Sequence, residues 1–269
     1  MSFYYILRQT NGSHNYPAIN GHSNGFHETD ANNDDLKDNE YTNDSDIPSN
    51  GCLEIIIQML ISGLSDKELY VRWSSAKGIG RITNRLKKTY ANELVLLLCD
   101  RIDKVALLAC DHCTLQGGCL TLAELARRGL LLPIRLNIVI PIVLKSLNYD
   151  EKLGHQTYGH VVRDAACYIC WAFARAFNPS DFQSYITDLA CMLLCIICFD
   201  WSVQCRRAAS AALQENVGRQ GDYFPHGIDI ILKTDYSLIG NTTYCYIELA
   251  QSIAKYDVYR YYLIEHLLK

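Results

Sequence analysis

No stretch of this 269-residue chain stays apolar long enough to suggest a membrane-spanning helix: the longest strongly apolar run, Leu189 to Phe199, is about half of what a bilayer requires. A secretory leader is missing too, because Arg8 interrupts the cluster Phe3, Tyr4, Tyr5, Ile6 and Leu7 before an apolar core is complete. Positive charge is in short supply, with 25 lysines and arginines against 29 acids and a net charge of −4. The deficit is local. Residues 1–50 hold two basic side chains, Arg8 and Lys37, and eight acidic ones, so this tract carries −6 and the remainder +2. A body so near neutrality lacks the summed basic excess that neutralises phosphates, which argues against nucleic acid as a partner. A soluble, cytosolic chain is the expectation.

What the sequence does have is a helix-like string that returns at nearly constant spacing: VRWSSAKGIGR from Val71, LQGGCLTLAEL from Leu115, VRDAACYICWA from Val162 and CRRAASAALQE from Cys205. The second residues of these strings, at 72, 116, 163 and 206, lie 44, 47 and 43 apart. That is the period of HEAT and armadillo helix pairs. The expected fold is therefore all-α, an α-solenoid of about four repeats plus a partial one over residues 51–269. A single helix pair cannot bury its apolar face alone, so neighbours stack and leave long edges for partners. Binding is the expected role, and catalysis is not.

The tract ahead of the solenoid reads differently. Residues 10–50 are rich in Asn, Asp, Gly, Ser and His with few aliphatics, too little apolar surface to offset the entropy of ordering, so residues 1–50 are expected to be a disordered acidic tract. From Gly51 the pattern turns helical, with Leu53, Ile56, Ile57, Leu60, Ile61 and Leu64 at three- and four-residue steps. Gly63, Ser65 and Asp66 supply a turn and a candidate N-cap. The second helix of each pair carries small residues for close approach: Ser74, Ser75, Ala76, Gly78 and Gly80, then Ala165, Ala166 and Cys167, then Ala208, Ala209, Ala211 and Ala212. Asp66 precedes Arg72 by six residues, as Asp200 precedes Arg206. An arginine so placed can reach the turn acid of the adjacent repeat through charge-assisted hydrogen bonds. Arg163 lacks that spacing to Asp150, since residues 149–160 form an inserted loop. The final stretch from Tyr256 to Leu268 is too apolar to close a solenoid.

Twelve cysteines in a cytosolic chain are expected to be thiols. Cys167/Cys170 and Cys195/Cys198 have the Cys-x-x-Cys spacing of metal sites, yet both pairs fall inside apolar helical strings where cysteine packs as a small hydrophobe. Cys110/Cys113, in a loop with His112, keeps a metal-site alternative.

Phosphate binding is disfavoured. Gly78-x-Gly80 and the Gly218–Gly221 string carry no Walker Lys-Ser/Thr, and Gly218 suits a helix C-cap. His226 and Asp229 have no nucleophile of readable geometry beside them. No catalytic residue, metal or cofactor is assigned. The polar residues selected for partner contact are Arg219, Gln220, His226 and Asp229; the alternative is that they satisfy backbone groups at a helix end.

Several strings exceed any generic repeat signature: VRWSSAKGIGRI (Val71–Ile82), GGCLTLAELARRGLLLP (Gly117–Pro133), YDEK (Tyr149–Lys152), VRDAACYICWAFARAF (Val162–Phe177), CRRAASAALQENVGRQG (Cys205–Gly221) and FPHGIDI (Phe224–Ile230). From about Ile47 onward the chain resembles the central part of the tubulin-folding cofactor D family, and Glu28 to Asp46 resembles the acidic linker ahead of that part. The resemblance implies a non-catalytic chaperone that captures β-tubulin and works with tubulin-folding cofactors E and C and an Arf-like small GTPase. It further implies heterodimer assembly, a cofactor complex that stimulates GTP hydrolysis by tubulin, and a place in the cytoplasm at the microtubule cytoskeleton. The competing reading is a general HEAT adaptor or transport scaffold with another protein cargo.

Overall fold

A computed structural model describes residues 50–108, 111–150, 152–153, 156–157 and 159–268. The expectation for the acidic tract falls outside these residues, as does Cys110. Four helix pairs follow one another: α1 (Asn50–Gly63) with α2 (Leu69–Thr83), α3 (Lys88–Leu108) with α4 (His112–Arg127), α5 (Leu136–Leu147) with α6 (Gly159–Ala176), and α7 (Pro179–Phe199) with α8 (Val203–Gln220). Shorter pieces complete the described chain: α9 (Gly227–Ile231), a π-helical segment Tyr244–Leu249, α10 (Ala250–Ile253) and α11 (Asp257–Leu267). The α5–α6 insertion holds a two-residue antiparallel ladder, β1 (Lys152–Leu153) with β2 (Gln156–Thr157).

The second helices α2, α4, α6 and α8 pack side by side in one layer, and α1, α3, α5 and α7 cover it as another. All four recurring strings lie in the first of these layers, where small residues meet the neighbouring helix. Ala76, Ala123, Ala165, Ala166, Ala208, Ala209 and Ala212 are buried, whereas Ser74 faces solvent and Ala211 is only partly covered. Helix α7 is long and apolar enough to cross a bilayer, longer than its densest apolar run suggested. Here it is a core helix, burying Phe182, Ile186, Leu189, Leu193, Leu194 and Ile197. The stripe of α1 is narrower than its sequence: Ile61 and Leu64 are buried, while Ile55, Ile56 and Met59 are exposed. At the other end α11 buries Tyr259 and Leu263 but exposes Tyr261, Ile264, Leu267 and Leu268.

One arginine in each of three repeats organises the turns. In every case Nη1 donates to the turn ahead of its own helix, and Nε and Nη2 reach into the next repeat. Arg72 donates through Nη1 to the carbonyls of Asp66 (2.5 Å) and Lys67 (2.9 Å), and through Nε and Nη2 to Gln116 Oε1 (2.9 and 2.6 Å). Arg163 Nη1 donates to the Tyr149 carbonyl at 2.7 Å, and its Nε and Nη2 meet the Asp200 carboxylate at 2.6 and 3.2 Å. Arg206 Nη1 donates to the carbonyls of Asp200 (2.7 Å) and Trp201 (3.2 Å), its Nε to that of Ile239 (2.8 Å), and its Nη2 to Gly240 and Thr242.

The expected arginine-to-turn-acid ladder is thus realised as a carboxylate pair only by Arg163. Arg72 and Arg206 use neutral acceptors, chiefly carbonyl and amide oxygens with the Thr242 hydroxyl and Cys113 sulfur, which satisfy a buried fork without burying a second charge. Asp66 is not an N-cap; its carboxylate accepts from the Glu68 amide at 2.8 Å, two residues along, and α2 begins after Glu68. The insertion does not deprive Arg163 of its turn either: Tyr149 supplies the carbonyl and Asp150 lies 3.5 Å from Nη1.

Two glycines admit these turns. A Cβ on Gly117 would stand 2.1 Å from the Leu64 carbonyl oxygen, and one on Gly159 would stand 2.6 Å from that of Tyr149. The backbone comes too close for any side chain there.

Among the described cysteines Cys52 is exposed, Cys113 is half-buried and the rest are buried. Cys167, Cys170, Cys195 and Cys198 sit in the core as expected, and burial pushes the thiol pKa values of Cys99 and Cys119 up to about 11. His112 and Cys113 do not lie in a loop; they open α4 behind Asp111, whose carboxylate accepts from the Cys113 and Thr114 amides. Among the described residues no three of His, Cys, Asp and Glu gather as a metal site would require.

Two outcomes follow from the core. Replacing Arg206 by Met strands its carbonyl partners and should cost more than about 3 kcal/mol in urea unfolding, with Arg206→Lys no rescue because an ammonium cannot reach both turns. Thiols whose pKa is raised on folding stabilise the fold fully below the unfolded value of about 8.5, and lose that contribution as pH climbs toward 11. The urea midpoint should therefore fall between pH 8 and pH 10, and fall less steeply in a C99A/C119A variant.

Candidate partner-binding surface

Helix α8 runs two residues further than the Gly218 cap predicted from sequence, to Gln220, because Gly218 lies on an open face while Gly221 takes the left-handed backbone (φ 55°) that ends the helix. The chain then makes a 3-10 turn at Gly221–Tyr223, crosses Phe224 and Pro225, and enters α9 through His226. His226 is the one described non-glycine residue with positive φ (55°). A histidine tolerates that region better than most side chains, and the next position has no room for one. A Cβ on Gly227 would stand 2.7 Å from a Val217 methyl carbon, so this connection folds tightly back onto α8.

The four polar residues selected from sequence are not brought to one point. Arg219 is half-exposed and pairs with Glu215 at 2.5 Å, one turn back on α8; Glu215 also holds Arg175 of α6 at 3.3 Å. Gln220 is buried, 2% exposed, and its amide has no hydrogen-bond partner among the described residues. His226 is exposed and stacks on Tyr256, ring centroids 4.3 Å apart, with Lys233 Nζ over the other aromatic partner at 5.4 Å. Asp229 is exposed in the first turn of α9 and makes no ion pair among the described residues. Asn216, one turn before Gln220 on α8, is structural: its Nδ2 donates to the Cys170 carbonyl at 3.1 Å and ties α8 to α6.

Apolar groups missed by the sequence reading complete the surface. Ile228 and Leu232, four apart, are 74% and 75% exposed, and Tyr223 stands exposed beside the entry to α9. Their signal was hidden because FPHGIDIIL is too short and too uniformly apolar to show which side of a helix faces out. Tyr259 Oη donates to the Pro225 carbonyl at 2.6 Å, so α11 braces the connection from below. The result is a braced loop that offers Ile228 and Leu232 flanked by His226 and Asp229. Such an arrangement suits protein contact: an apolar centre with a polar rim.

The glycines considered for phosphate do not form a cradle. Gly78 and Gly80 lie inside α2, facing Leu60 of α1 and Arg128, which caps the end of α4.

Comparison with known proteins agrees with this architecture. A family model described as "Tubulin-specific chaperone D-like, ARM repeats" matches residues 5–228. It reaches well ahead of Ile47, where the string resemblance begins, and stops inside α9 rather than running to the C-terminus. The Dictyostelium discoideum "Tubulin-specific chaperone D" is 41% identical over 206 residues, 76% of this chain and 14% of that protein. The Schizosaccharomyces pombe "Tubulin-folding cofactor D" is 30% identical over 218 residues, 77% of this chain and 20% of that protein. No solved structure matches. The chain therefore spans between a seventh and a fifth of the length of these relatives. On the matched length and the identity to these relatives, the chain belongs to the tubulin-specific chaperone D family.

Proposed function

We propose that this chain is a segment of a tubulin-folding chaperone that binds β-tubulin without catalysing a reaction, and that the braced α8–α9 connection forms part of the contact. The observation that supports this most is family membership across most of the chain, joined to a surface where Ile228 and Leu232 stand exposed. In the same reading the wider assembly includes tubulin-folding cofactors E and C and an Arf-like small GTPase. It promotes αβ-tubulin assembly, stimulates GTP hydrolysis by tubulin, and works in the cytoplasm at the microtubule cytoskeleton. Arg219, His226 and Asp229 contribute the polar rim; Gln220 supports it from inside.

Retention of purified αβ-tubulin on the immobilised chain tests the proposal. The wild-type chain should retain tubulin, and I228S/L232S or R219A/D229A variants should retain at least about fivefold less while keeping their helical circular dichroism, since these side chains contribute little to the core. Wild-type retention with no loss in either variant would move the contact elsewhere. No retention by the chain, under conditions where the Dictyostelium chaperone retains tubulin, would contradict the assignment of tubulin contact to this segment.

A further inference from the structure

A line of aromatic rings and cations crosses the whole layer of second helices. On α2, Lys77 Nζ lies 4.8 Å over the Trp73 ring. Trp73 meets Tyr168 of α6, centroids 5.8 Å apart, spanning α4, which packs between those helices. Tyr168 stacks on Trp171 at 5.9 Å, and Trp171 carries two guanidinium groups, Arg175 at 4.9 Å and Arg127 of α4 at 5.8 Å. Arg175 then joins Arg219 of α8 through Glu215. The line is continuous from the first repeat to the fourth.

Its charge is concentrated. Lys77, Arg127, Arg128, Arg175 and Arg219 face two carboxylates, Glu124 and Glu215, for a local +3, whereas the whole of residues 51–269 sums to +2. Glu124 is 2% exposed and already committed inward: it accepts from Tyr168 Oη at 2.9 Å and pairs with Arg127 and Arg128 at 3.2 and 3.5 Å. Burial opposes the charge on Arg127, but Tyr168 and Glu124 outweigh it and hold that guanidinium more firmly protonated than usual. Arg175 and Arg219 are 45% and 47% exposed. Arg175 meets Glu215 through Nη1 and Arg219 meets it through Nε, so the other nitrogens of both forks remain available to a second carboxylate.

We propose that this stripe is a docking surface for an acidic, extended segment of a protein partner. Glu215 shows the fit directly, since two arginines from neighbouring helices already close on a carboxylate there. The Trp73 and Trp171 faces strengthen such pairs by holding the cations in place and excluding water from one side. A polypeptide is favoured over nucleic acid because Glu215 stands between the cations and repels an unbroken row of phosphates, whereas separate carboxylates pass it. The inference rests on the reading of this solenoid as a partner-binding scaffold, but its test uses a peptide and not tubulin, so the two fail separately.

Fluorescence anisotropy with a fluorescein-labelled octaglutamate peptide and the full chain provides the measurement. Binding is expected to weaken at least about tenfold in R175E/R219E and severalfold between about 50 and 300 mM salt, as screening of exposed charges requires. W171L, which keeps every charge, should lose about threefold, and K255E/R260E at the far end should match the wild type. Equal binding by R175E/R219E and K255E/R260E would overturn the proposal. So would tighter binding of an eight-nucleotide RNA than of the peptide. Converting the acids of residues 28–46 to their amides should leave peptide affinity unchanged; a tenfold gain would assign the stripe to the chain's own acidic tract and overturn the assignment to a partner.

Discussion

A buried guanidinium group that points two ways ties three of the four helix pairs of this solenoid to the element that follows them. Arg72, Arg163 and Arg206 all close the turn before their own helix with Nη1 and grip the following repeat with Nε and Nη2. The planar fork makes this possible, because its donors diverge at fixed angles while a lysine offers a single point of charge. Everything else in the layer is fitted around that contact. Gly117 and Gly159 lack side chains where the turns press against the next helix, and the alanines of α6 and α8 bring the helices near enough for the arginines to reach across. Arg206 is fully buried with five acceptors and no carboxylate among them, so neutral oxygens alone satisfy its donors in the core.

Much of this was legible in the sequence because the repeat is physical. Positions 72, 163 and 206 fall on equivalent helices, and the fourth equivalent position, 116, holds the glutamine that accepts from Arg72. What the sequence concealed was the acceptor. An acid six residues ahead of an arginine suggests a carboxylate pair, but the turn presents its carbonyls inward, and in the first and last of the three repeats those carbonyls are nearer. The insertion before α6 was misleading for the same reason: spacing along the chain changes there, yet Tyr149 still delivers a carbonyl to the same place. Cysteine was easier to read, since an apolar helical string has one interior and the thiols of Cys167, Cys170, Cys195 and Cys198 fill it.

The proposed partner surface was legible only in part. Arg219, His226 and Asp229 lie at the surface, but Gln220, one residue from Arg219, turns inward, because adjacent residues on a helix point about a quarter-turn apart. Glu215 and Arg175, which extend Arg219 into a stripe over several repeats, are 40 residues apart and belong to different strings. Their association is a property of stacking and is invisible to any local pattern. The same holds for the charge: a sum over the body gives near neutrality, and only the fold sorts five cations onto one line. This solenoid thus offers two kinds of surface, an apolar loop at the end of α8 and a basic–aromatic stripe across the layer.

The claim that these arginines couple the repeats is tested most directly by a double-mutant cycle on Arg163 and Asp200, whose buried, two-point pair links α6 to the turn before α8. Urea unfolding of R163A, D200A and the double variant should show each single change costing about 3–5 kcal/mol and the double costing little more than either, a coupling of at least about 2 kcal/mol. Single losses that add to within about 0.5 kcal/mol would mean that the pair does not couple the repeats and that apolar packing alone sets their stacking.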